Sequence, residues 1–240
     1  MRSEVLTETF VEIVDALVAD FDIVDFLQGL TDRCVQMLDV DAAGLLLVDE
    51  QGRLEAVAAT SGAARLLELL QLEEREGPGL ECFRSGGPVT IPDVGAVQER
   101  WPRFALACQG VGFASVNALP MQRREQVIGT VNLFRVRGGG LEPDAIRIAH
   151  ALTAVATIAV LLQRVRHDQQ RLVEQLQTAL TSRVAIEQAK GVLAERWNVD
   201  PEQAFVVLRR HARRRNIRLT DLARAVVSGG DDLTFGTPGR

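Results

Sequence analysis

The run Ser115-Val-Asn-Ala-Leu-Pro-Met-Gln-Arg-Arg-Glu-Gln-Val-Ile-Gly-Thr-Val-Asn-Leu-Phe134 decides the class of the first half of the chain. Two apolar segments, Ser115 to Leu119 and Val127 to Phe134, flank the polar turn Gln122 to Gln126, the pattern of two strands joined by a reversal. Upstream, Ala43 to Val48 and Leu54 to Ala59 form a second such pair around Asp49-Glu50-Gln51-Gly52, and Val89 to Ile91 is one more short strand. Leu66 to Leu72 predicts a short helix that stops before the breaker Gly77-Pro78-Gly79, and Trp101 to Gln109 a loop and short helix. Residues 3 to 38 carry Val5, Phe10, Ile13, Leu17, Phe26, Leu30 and Leu38 at three-to-four spacing, which predicts one or two amphipathic helices. Antiparallel hairpins interrupted by short helices, with long helices before and after, imply an α+β domain built on one sheet.

Downstream the period changes. Gly138-Gly139-Gly140 ends the sheet region and Leu141-Glu142-Pro143-Asp144 opens a helix, with Pro143 suited to a first turn and the two acids favouring its positive end. Ile158, Val165, Leu172, Ala179, Ile186 and Leu193 recur every seven residues, and Leu162 and Leu176 complete an a/d seam over the first half. Gln169 interrupts that seam. The pattern predicts a parallel coiled-coil connector that passes into a different packing near residue 180. Asp200-Pro201-Glu202-Gln203 is a capped helix start, followed by the apolar stripe Ala204, Phe205, Leu208 and Ala212 and by Asn216 as its end. Thr220-Asp221 caps a last helix that stops at Gly229-Gly230. The expected organisation is a first domain over 1–162 and a connector over 163–180. A three-helix all-α module over 168–228 overlaps that connector, and a flexible tail covers 229–240.

Charge divides along the same line. Residues 1–162 sum to −10 and residues 163–227 to +6, an asymmetry concealed by the overall −5. A basic rear module attached to an acidic front half points to a polyanionic partner for the rear. With 47% apolar and 25% charged residues, a packed core is available and wholesale disorder is excluded. The N-terminal stretch lacks the basic and apolar regions of a secretory signal. The Ala-rich uncharged stretch over residues 151–163 has 13 residues and is short of a bilayer span. A cytoplasmic protein without a membrane partner is expected.

Catalysis finds no residues to carry it. His150, His167 and His211 stand beside no nucleophile and carboxylate in a recognisable arrangement, and no glycine loop is followed by the Lys and Ser/Thr of a phosphate cradle. Cys34, Cys82 and Cys108 are odd in number and lack CxxC spacing, so they imply neither a disulfide framework nor a zinc site. Thiol redox chemistry by Cys82 and Cys108 is a separate alternative, set against buried apolar cysteine as the plainer reading. No catalytic residue and no metal site is assigned.

The strongest signal is basic. Arg209 and Arg213, and Arg210 and Arg214, are i,i+4 pairs that stack like charges beside Arg215 and Arg218. A solvated helix face explains scattered charges, but six arginines in residues 209–218 are better explained by phosphate contact. DNA or a protein partner is the alternative for that face.

Two resemblances join these observations. Ala179-Leu-Thr-Ser-Arg183, Ile186-Glu-Gln-Ala-Lys-Gly191, Pro201-Glu-Gln-Ala-Phe205 with Leu208-Arg209, and Leu219 with Leu222-Ala223 resemble an ANTAR domain, the three-helix RNA-binding module of bacterial antitermination regulators, over about residues 168–228. Gly77-Pro-Gly79 before Cys82-Phe83, Pro88-Val-Thr-Ile-Pro-Asp93, Ser115 to Pro120 and Ile128-Gly129 through Phe134 are similar to a GAF domain, a small-molecule sensor fold with a central antiparallel sheet, over residues 20–162. Together they resemble GAF-ANTAR regulators of the actinobacterial type, which the arginine-rich composition suits.

The resemblance implies a non-enzymatic transcription regulator that binds a nascent mRNA leader carrying paired hairpins and prevents termination, under control of a signal sensed by the front domain. Arg183, Lys190 and Arg209 are carried over as RNA contacts at matching motif positions, and Arg213 and Arg214 join them from the charge argument. Ala189, Gly191, Ala204, Leu208 and Ala212 are expected to pack, Gly191 permitting a close helix approach. The sensor half lacks a cyclic-nucleotide motif, a haem-ligating histidine before residue 150 and a Cys-His bilin attachment pair, so its cofactor and its small-molecule ligand stay unassigned. Phe83, Trp101, Phe104, Phe113 and Asn117 are candidates to line its pocket, with core packing the competing reading. The apolar seam implies a homodimer.

Overall fold

The computed structural model describes residues 22–124 and 126–229. The helix expected over residues 3–21 and the tail over 230–240 lie outside the described residues. The chain divides into two compact units, one ending at Val165 and one beginning at Arg166.

In the first unit the sheet is assembled from local chemistry. Helix α1 (Ile23–Met37) starts at Asp22, whose carboxylate accepts from the Val24 and Asp25 backbone N–H groups at 2.7 and 3.2 Å. Strands β1 (Ala42–Val48) and β2 (Leu54–Ala59) form the expected first hairpin. Asp49 Oδ1 accepts from the backbone N–H of Gln51 and of Arg53, each at 2.8 Å, and Gly52 takes the left-handed φ of 81° that closes the turn. These hydrogen bonds, that of Arg53 foremost, hold the Asp49 carboxyl below its ordinary value.

Helix α2 (Gly62–Glu74) is longer than expected, because Ser61 caps it by accepting from Ala64 N–H at 3.1 Å. The expected breaker Gly77-Pro78-Gly79 is a helix start instead: Gly77, at φ 122°, is the N-cap of α3 (Pro78–Ser85), and Pro78 occupies the first turn. A fixed proline φ and a missing N–H are harmless there, and α2 ends earlier, with Arg75 in the left-handed conformation at φ 58°. Strand β3 (Val89–Ile91), a 3₁₀ turn (Val94–Val97) and helix α4 (Pro102–Gly110) lead to β4 (Ser115–Arg123) and β5 (Gln126–Arg135). The last hairpin is tighter than the five-residue turn expected, with the strands running on to Arg123 and from Gln126, and with Arg124 at φ 54°.

The five strands are antiparallel throughout, in the order β2-β1-β5-β4-β3. Alternation sorts their side chains. Ala43, Leu45, Leu119, Met121, Val131 and Leu133 face one layer, where they pack with Leu27, Leu30 and Cys34 of α1 and with Ala149, Leu152, Ala156 and Val160 of α5 (Pro143–Trp197). Ala42, Val116 and Phe134 face the opposite layer, with Leu67 of α2 and Phe104 and Cys108 of α4. By length and composition α5 contains a window apolar enough to cross a membrane, although its longest uncharged stretch is short of a span. That window is 39% buried inside the protein, as it is in a helix that covers a sheet.

In the second unit, Ala185, Ala189 and Leu193 of α5 pack with Ala204, Leu208 and Ala212 of α6 (Pro201–Arg215) and with Leu222, Ala223 and Val226 of α7 (Leu219–Val227). Asp200 caps α6 by accepting from Glu202 N–H at 2.7 Å, and Asn216 ends it in the left-handed conformation, φ 51°. Arg218, rather than Thr220-Asp221, precedes the first turn of α7. Asp221 lies within that turn and favours its positive end. Gly191 departs from its expected role: it is exposed, and a Cβ there would meet nothing within 4 Å, so no close helix approach depends on it.

Candidate functional site

Helix α6 has two unlike faces. Ala204, Leu208, His211 and Ala212 are buried, at the spacing that keeps one stripe of a helix inward. The opposite face carries Arg209, Arg210, Arg213 and Arg214, all exposed, which with Phe205 and Val206 line a groove of about 390 Å³. Among the described residues none of these four arginines meets a carboxylate at ion-pair distance, nor do Arg215 and Arg218 nearby. Stacked guanidinium groups with no acid to offset them leave a strongly positive surface. Burial, and after it the fields of Arg215 and Arg214, hold the His211 imidazole below its ordinary value.

The other sequence candidates are differently placed. Arg183 is exposed on α5. Lys190 is largely enclosed: its Nζ lies 3.1 Å from Glu187 Oε2 and 3.4 Å from Glu202 Oε1, and 5.6 Å from the Phe205 ring centre. The hydrogen bond to Glu187, reinforced by Glu202, holds its ammonium above the ordinary value. Lys190 therefore joins α5 to the start of α6 beside the groove, and a phosphate reaching it competes with two carboxylates. Trp197 packs partly buried against the same core.

The five residues expected to line a sensor pocket do not converge. Trp101 and Phe104 meet edge to face at 6.2 Å, and Phe113 stacks on Phe134 at 5.3 Å, all within the core between the sheet and α2 and α4. Phe83 is half-buried on α3. Asn117 pairs with Leu133 and so faces the layer of α1 and α5, where its Nδ2 is buried without a hydrogen-bond partner among the described residues. Cys34, Cys82 and Cys108 are all buried free thiols. Burial pushes each up to about 12, the reverse of what a nucleophilic thiolate requires.

The sequence reading missed a buried polar cluster in this unit. Glu68 and Gln71 continue the inward stripe of α2 begun by Ala64 and Leu67, and Asn132 faces them from β5. The signal was present in two polar residues at the i+4 and i+7 positions of an apolar stripe.

Families and folds agree with this division. The GAF domain family matches residues 22–161 and the ANTAR domain family residues 174–227. No curated protein matches the chain. Among solved structures, a GAF domain region from Geobacter sulfurreducens PCA is 22% identical with a TM-score of 0.51, over 63% of this chain and 99% of that one. The GAF domain of a phosphoenolpyruvate-protein phosphotransferase from Acinetobacter is 15% identical with a TM-score of 0.52, over 67% and 95%. Its counterpart from Coxiella burnetii is 13% identical with a TM-score of 0.52, over 68% and 96%. Identities this low carry the fold alone. The chain belongs to the GAF family, and its GAF domain followed by an ANTAR domain makes it a regulator of GAF-ANTAR architecture, with an RNA-binding antitermination module behind a sensor.

Proposed function

We propose that the ANTAR module binds paired hairpins in a nascent mRNA leader and so prevents a terminator from forming, and that the GAF unit governs this binding in response to a signal. The observation that carries this reading is the row of arginines along α6, exposed and with no carboxylate at ion-pair distance among the described residues. Phosphate contacts by Arg209, Arg213 and Arg214, with Arg183 on α5, supply affinity, and unpaired loop bases supply selectivity. Lys190 contributes where a phosphate displaces Glu187 or Glu202.

A second copy of the chain covers the outward stripe of α5. Leu162, Val165, Leu172 and Leu176 are 40%, 53%, 55% and 61% exposed, unusual for aliphatic residues aligned at heptad spacing. Such a homodimer presents two modules to two hairpins. The protein acts in the cytoplasm, where nascent transcripts are found.

The test is binding of the full chain to a two-hairpin RNA and to a matched duplex DNA across a salt series. RNA-selective binding is expected, with Arg209→Ala and Arg213→Ala each lowering the slope of log affinity against log salt by about 1. Equal affinity for the duplex would replace this reading with a DNA-binding one.

A further inference from the structure

Three glycines, one on β1 and two at the start of α3, leave room for a buried carboxyl and its amide partners. A Cβ on Gly44 of β1 would overlap the Glu68 carboxyl. One on Gly79 of α3 would lie 2.7 Å from the Asn132 amide, and one on Gly77 would lie 2.6 Å from Gln71. In the space so left, Asn132 Nδ2 donates to Glu68 Oε1 and Oε2 at 2.9 and 2.8 Å, Gln71 Nε2 donates to Oε2 at 3.1 Å, and Gly79 N–H donates to Gln71 Oε1 at 2.7 Å. The cluster thereby ties α2 to β5 and to the first turn of α3.

Among the described residues no positive charge accompanies Glu68, which is 0% exposed. On α2, Arg65 and Glu73 are exposed and Glu74 pairs with Arg103 of α4. Glu76, which follows α2, accepts from Phe104 N–H of α4. On α3, Glu81 pairs with Arg100 and Arg84 is exposed. Glu55 of β2 is exposed, and Arg135 of β5 is held by Asp39 and the Gly140 carbonyl. The Cys82 and Cys108 thiols are uncharged. Two acceptor-capable atoms of the same face of β5, Asn132 Oδ1 and Thr130 Oγ1, are buried without a partner among the described residues. An uncompensated buried carboxylate and an orphan acceptor are both costly, and a single proton on the carboxyl removes the charge and adds a donor.

We propose that Glu68 carries a proton at neutral pH and that its release loosens α2 and α3 from β5, making the GAF unit a proton-responsive sensor for the module behind it. The regulatory half of this inference rests on the function proposed above. The uncharged state agrees with burial, which outweighs the Asn132 hydrogen bond and pushes the carboxyl up to about 8. Because the folded value lies above the ordinary 4.5, the contribution to stability is complete below 4.5 and is lost as pH rises through about 8.

The full chain is titrated by infrared difference spectroscopy and by amide hydrogen exchange, beside Glu68→Gln, which mimics the protonated form. The expected result is a protonated-carboxyl band in the wild type at neutral pH, lost with a midpoint near 8 and absent from the variant. Protection of α2 and α3, corrected for the intrinsic exchange rate, should fall by up to about tenfold per pH unit between 4.5 and about 8 in the wild type relative to the variant, and level off as the band disappears. The wild-type titration is decisive even if the variant fails to fold: no band at neutral pH, or protection that does not fall between 4.5 and about 8, overturns the proposal. RNA affinity of the same samples should shift with pH in the wild type alone. Affinity indifferent to pH while the band titrates overturns the regulatory role, whereas absence of RNA binding at every pH counts against the antitermination reading and leaves the proton on Glu68 standing.

Discussion

Leu208 and Arg209 adjoin in sequence and have opposite surroundings, one wholly buried among three helices and the other on the exposed arginine face. Truncating Leu208 to Ala leaves a cavity and should cost the module about 2–5 kcal/mol, read as a lowered melting temperature of that unit. Arg209→Ala should leave the melting temperature in place while weakening RNA binding, and a variant that lost both would mark Arg209 as a packing residue. Two positions from Arg209, buried His211 titrates in the other sense from Glu68. Its folded value is depressed, so the stability it contributes is present above its ordinary 6.5 and is lost as pH falls toward the depressed value. Denaturant unfolding of the module from about pH 7 down to about pH 5 should show that loss, with His211→Gln removing the slope. Residue types told in advance that α6 is basic on one side. They did not tell that Glu202 also engages Lys190, beside its local i,i+3 partner Glu187, since that requires the start of α6 to be folded against α5.

Helix α5 changes partners along its length. Ala149, Leu152, Ala156 and Val160 belong to the core of the first unit, Leu172 through Leu180 are exposed, and Ala185, Ala189 and Leu193 belong to the core of the second. The heptad was legible because its period is local, and the change of packing near residue 180 was legible because the seam loses its d positions there. If a second chain covers the middle segment, Leu172→Glu with Leu176→Glu should halve the mass seen by light scattering without lowering either unit's melting temperature. An unchanged mass would leave the stripe without an explanation in self-association. Helix α2 was harder. Its apolar residues indicate an amphipathic helix, but Glu68 and Gln71 lie on its inward face, and a hydrophobic period taken alone assigns such residues to solvent.

The two units have separate cores, one on both faces of the GAF sheet and one among the three ANTAR helices. Two thermal transitions are therefore expected, with Leu133→Ala lowering only the first unit's and Leu208→Ala only the second's; a single transition that moves with both variants would contradict independent folding. The division itself, the antiparallel sheet, the capped helices and the polyanion-facing module were all determined by the sequence, because alternation, helical period, cap residues and net charge are written in neighbouring positions. The interior was decided only by tertiary structure. Gly44, Glu68, Gln71, Gly77, Gly79 and Asn132 are scattered over β1, α2, α3 and β5, and Trp101, Phe104 and Phe113 join the packed core rather than an open pocket. Whether an aromatic fills a core or a carboxyl keeps its proton depends on which groups the fold brings within a few ångströms and how much water it excludes, and neither is a property of local sequence.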